Sequence, residues 1–180
     1  MKKLFLSLAL VAGLGLAAQA QSKKDVAMGG KKLGIGGDFA FPTGDFSKAI
    51  DYGAGASVNF QNPIADKTNL VLEAGYLSMT SKPILGITFS YAYVPVKAGL
   101  RYFLAENLYA QGQVGAAIGA KSGYKTGFLF APAVGAEFPI GNKTTVDLGA
   151  RYEGWTGQPG LTGTQTNAFF GVRAALNFGL

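Results

Sequence analysis

From Leu33 to Leu180 the chain falls into eight runs in which apolar or small residues recur at every second position. No charged side chain interrupts that face in any run. Successive side chains of a strand point to opposite faces, so each run specifies a strand with one apolar side and one polar side. The apolar face carries Leu33, Ile35, Phe39 and Phe41 in the first run and Tyr52, Val58 and Phe60 in the second. Leu70, Leu72 and Tyr76 form the third, and Val94, Val96, Leu100 and Tyr102 the fourth. The fifth, Leu108 to Ala120, is wholly small or apolar, and the sixth runs from Phe128 to Ile140. Val146, Leu148 and Tyr152 make the seventh, and Phe170, Val172, Leu176, Phe178 and Leu180 the eighth. Clusters of Gly, Pro, Asn, Asp and Thr separate the runs, as turns require.

The opposite face gathers Asp38, Glu73, Lys97, Arg101, Lys121, Glu137, Asp147, Arg151, Glu153 and Arg173, together with Asn59, Gln111, Gln113 and Asn177. A soluble sandwich also alternates, but it turns its apolar face inward and covers itself with charge. Only 14% of this chain is charged and 27 residues are Gly, against a charged fraction of about a quarter in soluble domains. The polar face is too thinly charged for a wet surface, and the apolar face, broken by Ala and Gly, suits a lipid-facing wall. The acids and bases of the polar face balance, so a narrow lumen can pair them. On this reading the ten charged residues form a structural lumen network.

Past Ala20 no apolar stretch reaches the roughly 18 residues of a spanning helix. A chain that spans lipid without helices must close its sheet, because lipid offers no water to unpaired backbone groups. The fold class predicted is therefore all-β: an eight-stranded antiparallel up-and-down transmembrane β-barrel, apolar outside with a polar lumen.

Residues 1–20 read as a secretory signal peptide. Lys2 and Lys3 form its basic start, Leu4 to Leu16 its apolar stretch, and Ala18-Gln19-Ala20 a cleavage site. Residues 21–31 are then a periplasmic tail and 32–180 the barrel domain.

The chain contains neither Cys nor His. Disulfides, thiolate catalysis, a lipoprotein anchor, Ser-His pairs and His-bound zinc are excluded together. No catalytic, cofactor-binding or metal-ligating residue is assigned. The formal charge of +6 includes Lys2 and Lys3, and the other bases are scattered, which argues against nucleic acid as a partner. Gly34-Ile35-Gly36-Gly37 lacks the rest of a nucleotide-binding pattern and reads as strand glycine that lets a barrel bend. The carboxylate pairs Glu137 with Asp147 and Glu73 with Asp38 read as partners of Arg101, Arg151, Arg173 and Lys97 rather than as acid–base machinery.

The links alternate in character. Residues 61–69, 105–107 and 141–144 are compact. Residues 42–51, 77–90 and 156–167 are longer, and 122–127 is a shorter member of that second set. Short periplasmic turns and longer outer loops fit a barrel with both termini in the periplasm. Tyr52, Phe60, Tyr76, Tyr102, Tyr109, Phe128, Phe138, Tyr152, Trp155, Phe170 and Phe178 lie near run ends, where two aromatic belts are expected at the membrane interfaces.

Three segments carry a family likeness: Phe41-Pro42-Thr43-Gly44-Asp45-Phe46, Tyr93-Val94-Pro95-Val96-Lys97, and the closing strand Phe169 to Leu180. With them the chain resembles small outer-membrane β-barrel proteins of the porin-like or OmpX-like type, especially those of Bacteroidetes. The final strand of that family usually ends in an aromatic residue, whereas here Leu180 is last and Phe178 lies two before it on the same face. The resemblance implies an integral outer-membrane protein of non-enzymatic role, in envelope structure, surface interaction or limited permeation. Outer-membrane lipid surrounds it, and the barrel-assembly machinery is its partner during biogenesis. Two alternatives stand beside it: a soluble exported barrel binding a small apolar ligand, and an outer-membrane lipid-modifying enzyme.

Overall fold

The alternation folds as its period demands. A computed structural model describes residues 29–83, 85–120, 124–157 and 166–180 of the chain. Its strands are β1 (Lys32–Pro42), β2 (Ile50–Ala65), β3 (Thr68–Ser81), β4 (Ser90–Phe103), β5 (Leu108–Gly119), β6 (Gly127–Pro139), β7 (Thr144–Thr156) and β8 (Asn167–Gly179). One turn of helix, α1 (Phe46–Ala49), lies between β1 and β2. Each strand pairs antiparallel with the next, and β1 pairs with β8 from Lys32↔Gly179 to Pro42↔Phe169, closing the barrel. Closure leaves no unpaired edge. The signal peptide and most of the tail lie outside the described residues.

Apolar residues face outward. Ile35 is 57% exposed, Val134 59% and Phe170 57%, while Asp38, Glu73, Lys97 and Glu137 between them are buried. On the outer wall Tyr152 packs edge-on against Phe170 at 5.5 Å between ring centres. Phe130 lies over Gly154, its cross-strand partner, filling the space that a glycine leaves on a lipid-facing surface.

Two links are much shorter than the sequence predicts. Pairing of β2 with β3 continues past Asn62↔Leu70 to Ala65↔Thr68, leaving Asp66 and Lys67 as the turn over the stretch read as 61–69. Lys67 takes a left-handed backbone, φ 56°. Likewise β3 and β4 stay paired to Thr80↔Ser90, and the stretch read as 77–90 contracts to 82–89. In both places pairing outlasts the apolar pattern. Asn62, Ser78 and Thr80 occupy outward positions, and the ladder needs no apolar side chain once it leaves hydrocarbon.

The lumen is polar through the middle and the terminal end, but not throughout. At the loop end, Phe46 from α1, Ile50, Leu77, Met79, Tyr93, Leu129, Trp155 and Phe169 turn inward and are almost fully buried. Trp155 packs tilted against Tyr93 at 4.9 Å and edge-on against Phe169 at 5.3 Å. This apolar plug closes one end of the barrel.

Candidate functional site

Inward positions of all eight strands converge on one chain of charges below the plug. Lys32 donates to Glu137 Oε1 at 2.7 Å, and Thr145 donates to the same oxygen at 2.6 Å. Arg101 reaches Glu137 Oε2 with Nη1 at 2.7 Å and Asp147 Oδ2 with Nη2 at 2.8 Å. Its Nε donates to Gln111 at 2.8 Å. Arg173 extends the chain, donating through Nε to Ser57 at 3.0 Å and through Nη2 to Asn59 at 3.1 Å. Ser57 in turn donates to Asp38 Oδ2 at 2.6 Å. Arg151 joins Asp38 at 2.6 Å to Glu153 at 2.7 Å. Lys97 completes the run between Glu153 at 3.2 Å and Glu73 at 2.9 Å.

Five bases (Lys32, Lys97, Arg101, Arg151, Arg173) thus face five acids (Asp38, Glu73, Glu137, Asp147, Glu153). Burying an ion from water costs several kcal/mol after relaxation. Only this degree of mutual pairing makes such a lumen tolerable.

Of the ten charged residues picked from the sequence, nine are brought together here, and Lys121 lies outside the described residues. Lys32 was missed. It stands one place before Leu33, on the inward parity of β1, so the alternation extended by one residue would have found it.

Tyr109 and Trp155 depart from the sequence reading, which put them in the aromatic belts. Both have inward parity, between the outward pairs Leu108/Ala110 and Gly154/Thr156, and both are buried. Each brings a polar tip to the network: the Tyr109 hydroxyl donates to Asp147 Oδ1 at 2.6 Å, and Trp155 Nε1 donates to Glu153 Oε1 at 2.8 Å. Gly135 and Gly149 leave room for the Tyr109 ring, and the Arg101 guanidinium lies 3.7 Å from that ring's centre, a cation–π contact.

Among the described residues the network is closely packed, with small cavities of about 20 Å³ and about 10 Å³ inside it, each room for a single water-sized occupant. Larger hollows lie on the outer wall, between Leu33, Val58, Leu72, Val96 and Val114 and between Phe39, Leu108, Val134 and Val172. Among the described residues no three acidic side chains gather to hold a metal ion. Each of the five network carboxylates has a base or hydroxyl against it instead.

A closed eight-stranded barrel with an apolar outer wall and a neutralised ionic interior is the architecture of an integral outer-membrane β-barrel. The chain belongs to that family: the model described as "Outer membrane protein beta-barrel domain" matches residues 6–178. Among solved structures, the outer membrane protein OprG from Pseudomonas aeruginosa superposes with a TM-score of 0.56 at 13% identity, over 87% of this chain and 98% of OprG. Neisserial surface protein A gives 0.57 at 12% identity, over 83% and 97% of the two chains. Ail, the attachment invasion locus protein of Yersinia pestis, gives 0.55 at 16% identity, over 83% and 99%. At such identities the likeness is one of fold. No curated protein sequence matches the chain.

Proposed function

We propose that this barrel is a non-enzymatic element of the outer membrane that conducts no solutes and acts through its outer wall and loop-end surface. The observation that carries this reading is the apolar plug above an ion-paired lumen among the described residues. A solute would have to displace Trp155, Phe169 and Phe46 at the loop end and then break several buried ion pairs below them. Both costs oppose permeation: the plug excludes water, and a separated pair leaves charge unpaired in a low-dielectric space.

Both termini belong on the periplasmic side in this reading. Lys32 and Gly179 pair at the end that carries the turns 66–67, 104–107 and 140–143. The opposite end carries α1 and the loop 82–89, where Leu85 is 98% exposed and Ile87 and Phe89 are more than half or half exposed. Outer-membrane lipid is the partner of the wall, and the barrel-assembly machinery is the partner during insertion.

Planar-bilayer recordings on the purified, refolded chain test the proposal. A membrane that stays silent after verified insertion supports a closed wall protein. Steady, reproducible unitary currents would overturn it and make the barrel a channel.

A further inference from the structure

Two ladders of the wall skip a pair of partners and resume in the same register. Between β3 and β4 the pairing passes from Ala74↔Val96 to Leu77↔Tyr93 without Gly75↔Pro95 or Tyr76↔Val94. Between β6 and β7 it passes from Phe130↔Gly154 to Ala133↔Arg151 without Ala131↔Glu153 or Pro132↔Tyr152. Each gap lies at a proline in the middle of its strand. On their other sides Pro95 still pairs with Ala117 and Pro132 with Gly112, so each ring nitrogen is turned towards the broken ladder. A proline has no amide proton to give. The carbonyls opposite, of Gly75 and Tyr152, therefore lose their donors in a wall where lipid supplies no replacement.

The two gaps differ in what lies behind them. Pro132 and Tyr152 occupy outward positions, and neither lines a cavity of the network. Gly75 and Pro95 occupy inward positions, and both line the cavity of about 10 Å³. Glu73 and Lys97, cross-strand partners two residues further along the same strands, line it as well. Lys97 Nζ holds Glu73 Oε1 at 2.9 Å and donates to Glu153 Oε2 at 3.2 Å. An ammonium has three donors, so one remains, and Glu73 Oε2 stands outside the pair. A carbonyl without a donor, a carboxylate oxygen and an ammonium proton thus border a space of about one sphere.

We propose that this cavity is a structural water site. One water donates to the Gly75 carbonyl and to Glu73 Oε2, accepts from Lys97, and takes the place of the amide that Pro95 lacks. Three partners is the usual number for a buried water. Ions of either sign are disfavoured, because Asp38 and Glu73 face Lys97 and Arg151 across the same space. The water joins the Lys97–Glu73 pair to the wall and repairs the gap that opens on the lumen. This goes beyond the closed-wall reading and does not depend on it, since a conducting barrel would need the same repair.

The test uses the full refolded chain. A crystal structure of the native protein that shows ordered water should hold one peak within hydrogen-bond reach of Gly75 O, Glu73 Oε2 and Lys97 Nζ. Urea unfolding in lipid vesicles then compares Pro132→Ala with Pro95→Ala. Both variants supply an amide proton, and both free the unfolded chain of the same restraint, so their difference reads the two carbonyls. Pro132→Ala serves a carbonyl that has only lipid beside it. It should raise the folded-to-unfolded ratio severalfold more than Pro95→Ala, whose carbonyl the water already serves. If either variant fails to fold, the native density decides alone. An empty cavity in the native crystal, or equal gains in the two variants, would overturn the proposal and leave Gly75 unpaired in the wall.

Discussion

Glu137 and Asp147 face each other across the β6–β7 pair, and the single guanidinium of Arg101, reaching over from β4, bonds both. Two carboxylates that would repel each other are thereby fixed side by side. Arg101→Leu should leave both without their shared cation, a change that costs about 3–5 kcal/mol when a buried pair loses one partner. The measurement is the urea midpoint in vesicles. Arg101→Lys should recover part of the loss, since one ammonium cannot engage both carboxylates in the planar fork of an arginine. An unchanged midpoint in Arg101→Leu would mean that water solvates the pair.

A second test concerns the space left for Tyr109. A methyl group added at Gly149 would meet the Tyr109 hydroxyl at 2.8 Å and nothing else closer than 3.7 Å. Gly149→Ala should therefore destabilise the native chain by about 1–3 kcal/mol, as overpacking does. In a Tyr109→Phe background it should cost much less. The double-mutant cycle reads this directly, and additive effects would show that the ring does not bear on Gly149.

Trp155 is the only tryptophan in the chain, and it sits fully buried inside the barrel rather than in the membrane interface. Bromine-labelled lipid should quench its emission weakly. In a Trp155→Phe, Tyr152→Trp variant, the probe moves to an outward position on the same strand and quenching should rise severalfold. Equal quenching of the two proteins would place Trp155 on the lipid side.

Orientation can be read by labelling, because the chain has no cysteine of its own. Leu85→Cys should react with a membrane-impermeant maleimide on intact cells. Asp66→Cys, in the β2–β3 turn, should react only after the outer membrane is opened. The reverse pattern would invert the barrel.

Most of the wall was legible from the sequence and most of the interior pairing was not. The two-residue period assigns Ile35, Val134 and Phe170 to lipid and Asp38, Glu73 and Arg101 to the lumen, because lipid tolerates no charge along eight successive strands. The period fails where the solvent on either side changes. At the loop end of β3, Leu77 and Met79 point inward while Ser78 and Thr80 point outward, so apolar and polar sides exchange and the apolar pattern ends before the strand does. Tyr109 and Trp155 were assigned to belts on their position near run ends, although their parity pointed inward. Nor does local pattern disclose that Lys32 meets Glu137, 105 residues away. That contact depends on the strand tilt and stagger of the closed barrel, which no single run encodes.

The ionic chain draws on every strand: Lys32 and Asp38 on β1, Ser57 on β2, Glu73 on β3, Lys97 and Arg101 on β4, Gln111 on β5, Glu137 on β6, Arg151 on β7 and Arg173 on β8. A sheet with one strand still unplaced would present orphan charges to hydrocarbon through the open seam, a far worse environment than water or the finished lumen. Half-zipped intermediates are thereby disfavoured inside the bilayer. The same ion pairs that neutralise the lumen therefore favour the closed sheet over any open one, and the β1–β8 pairing is the contact that seals it.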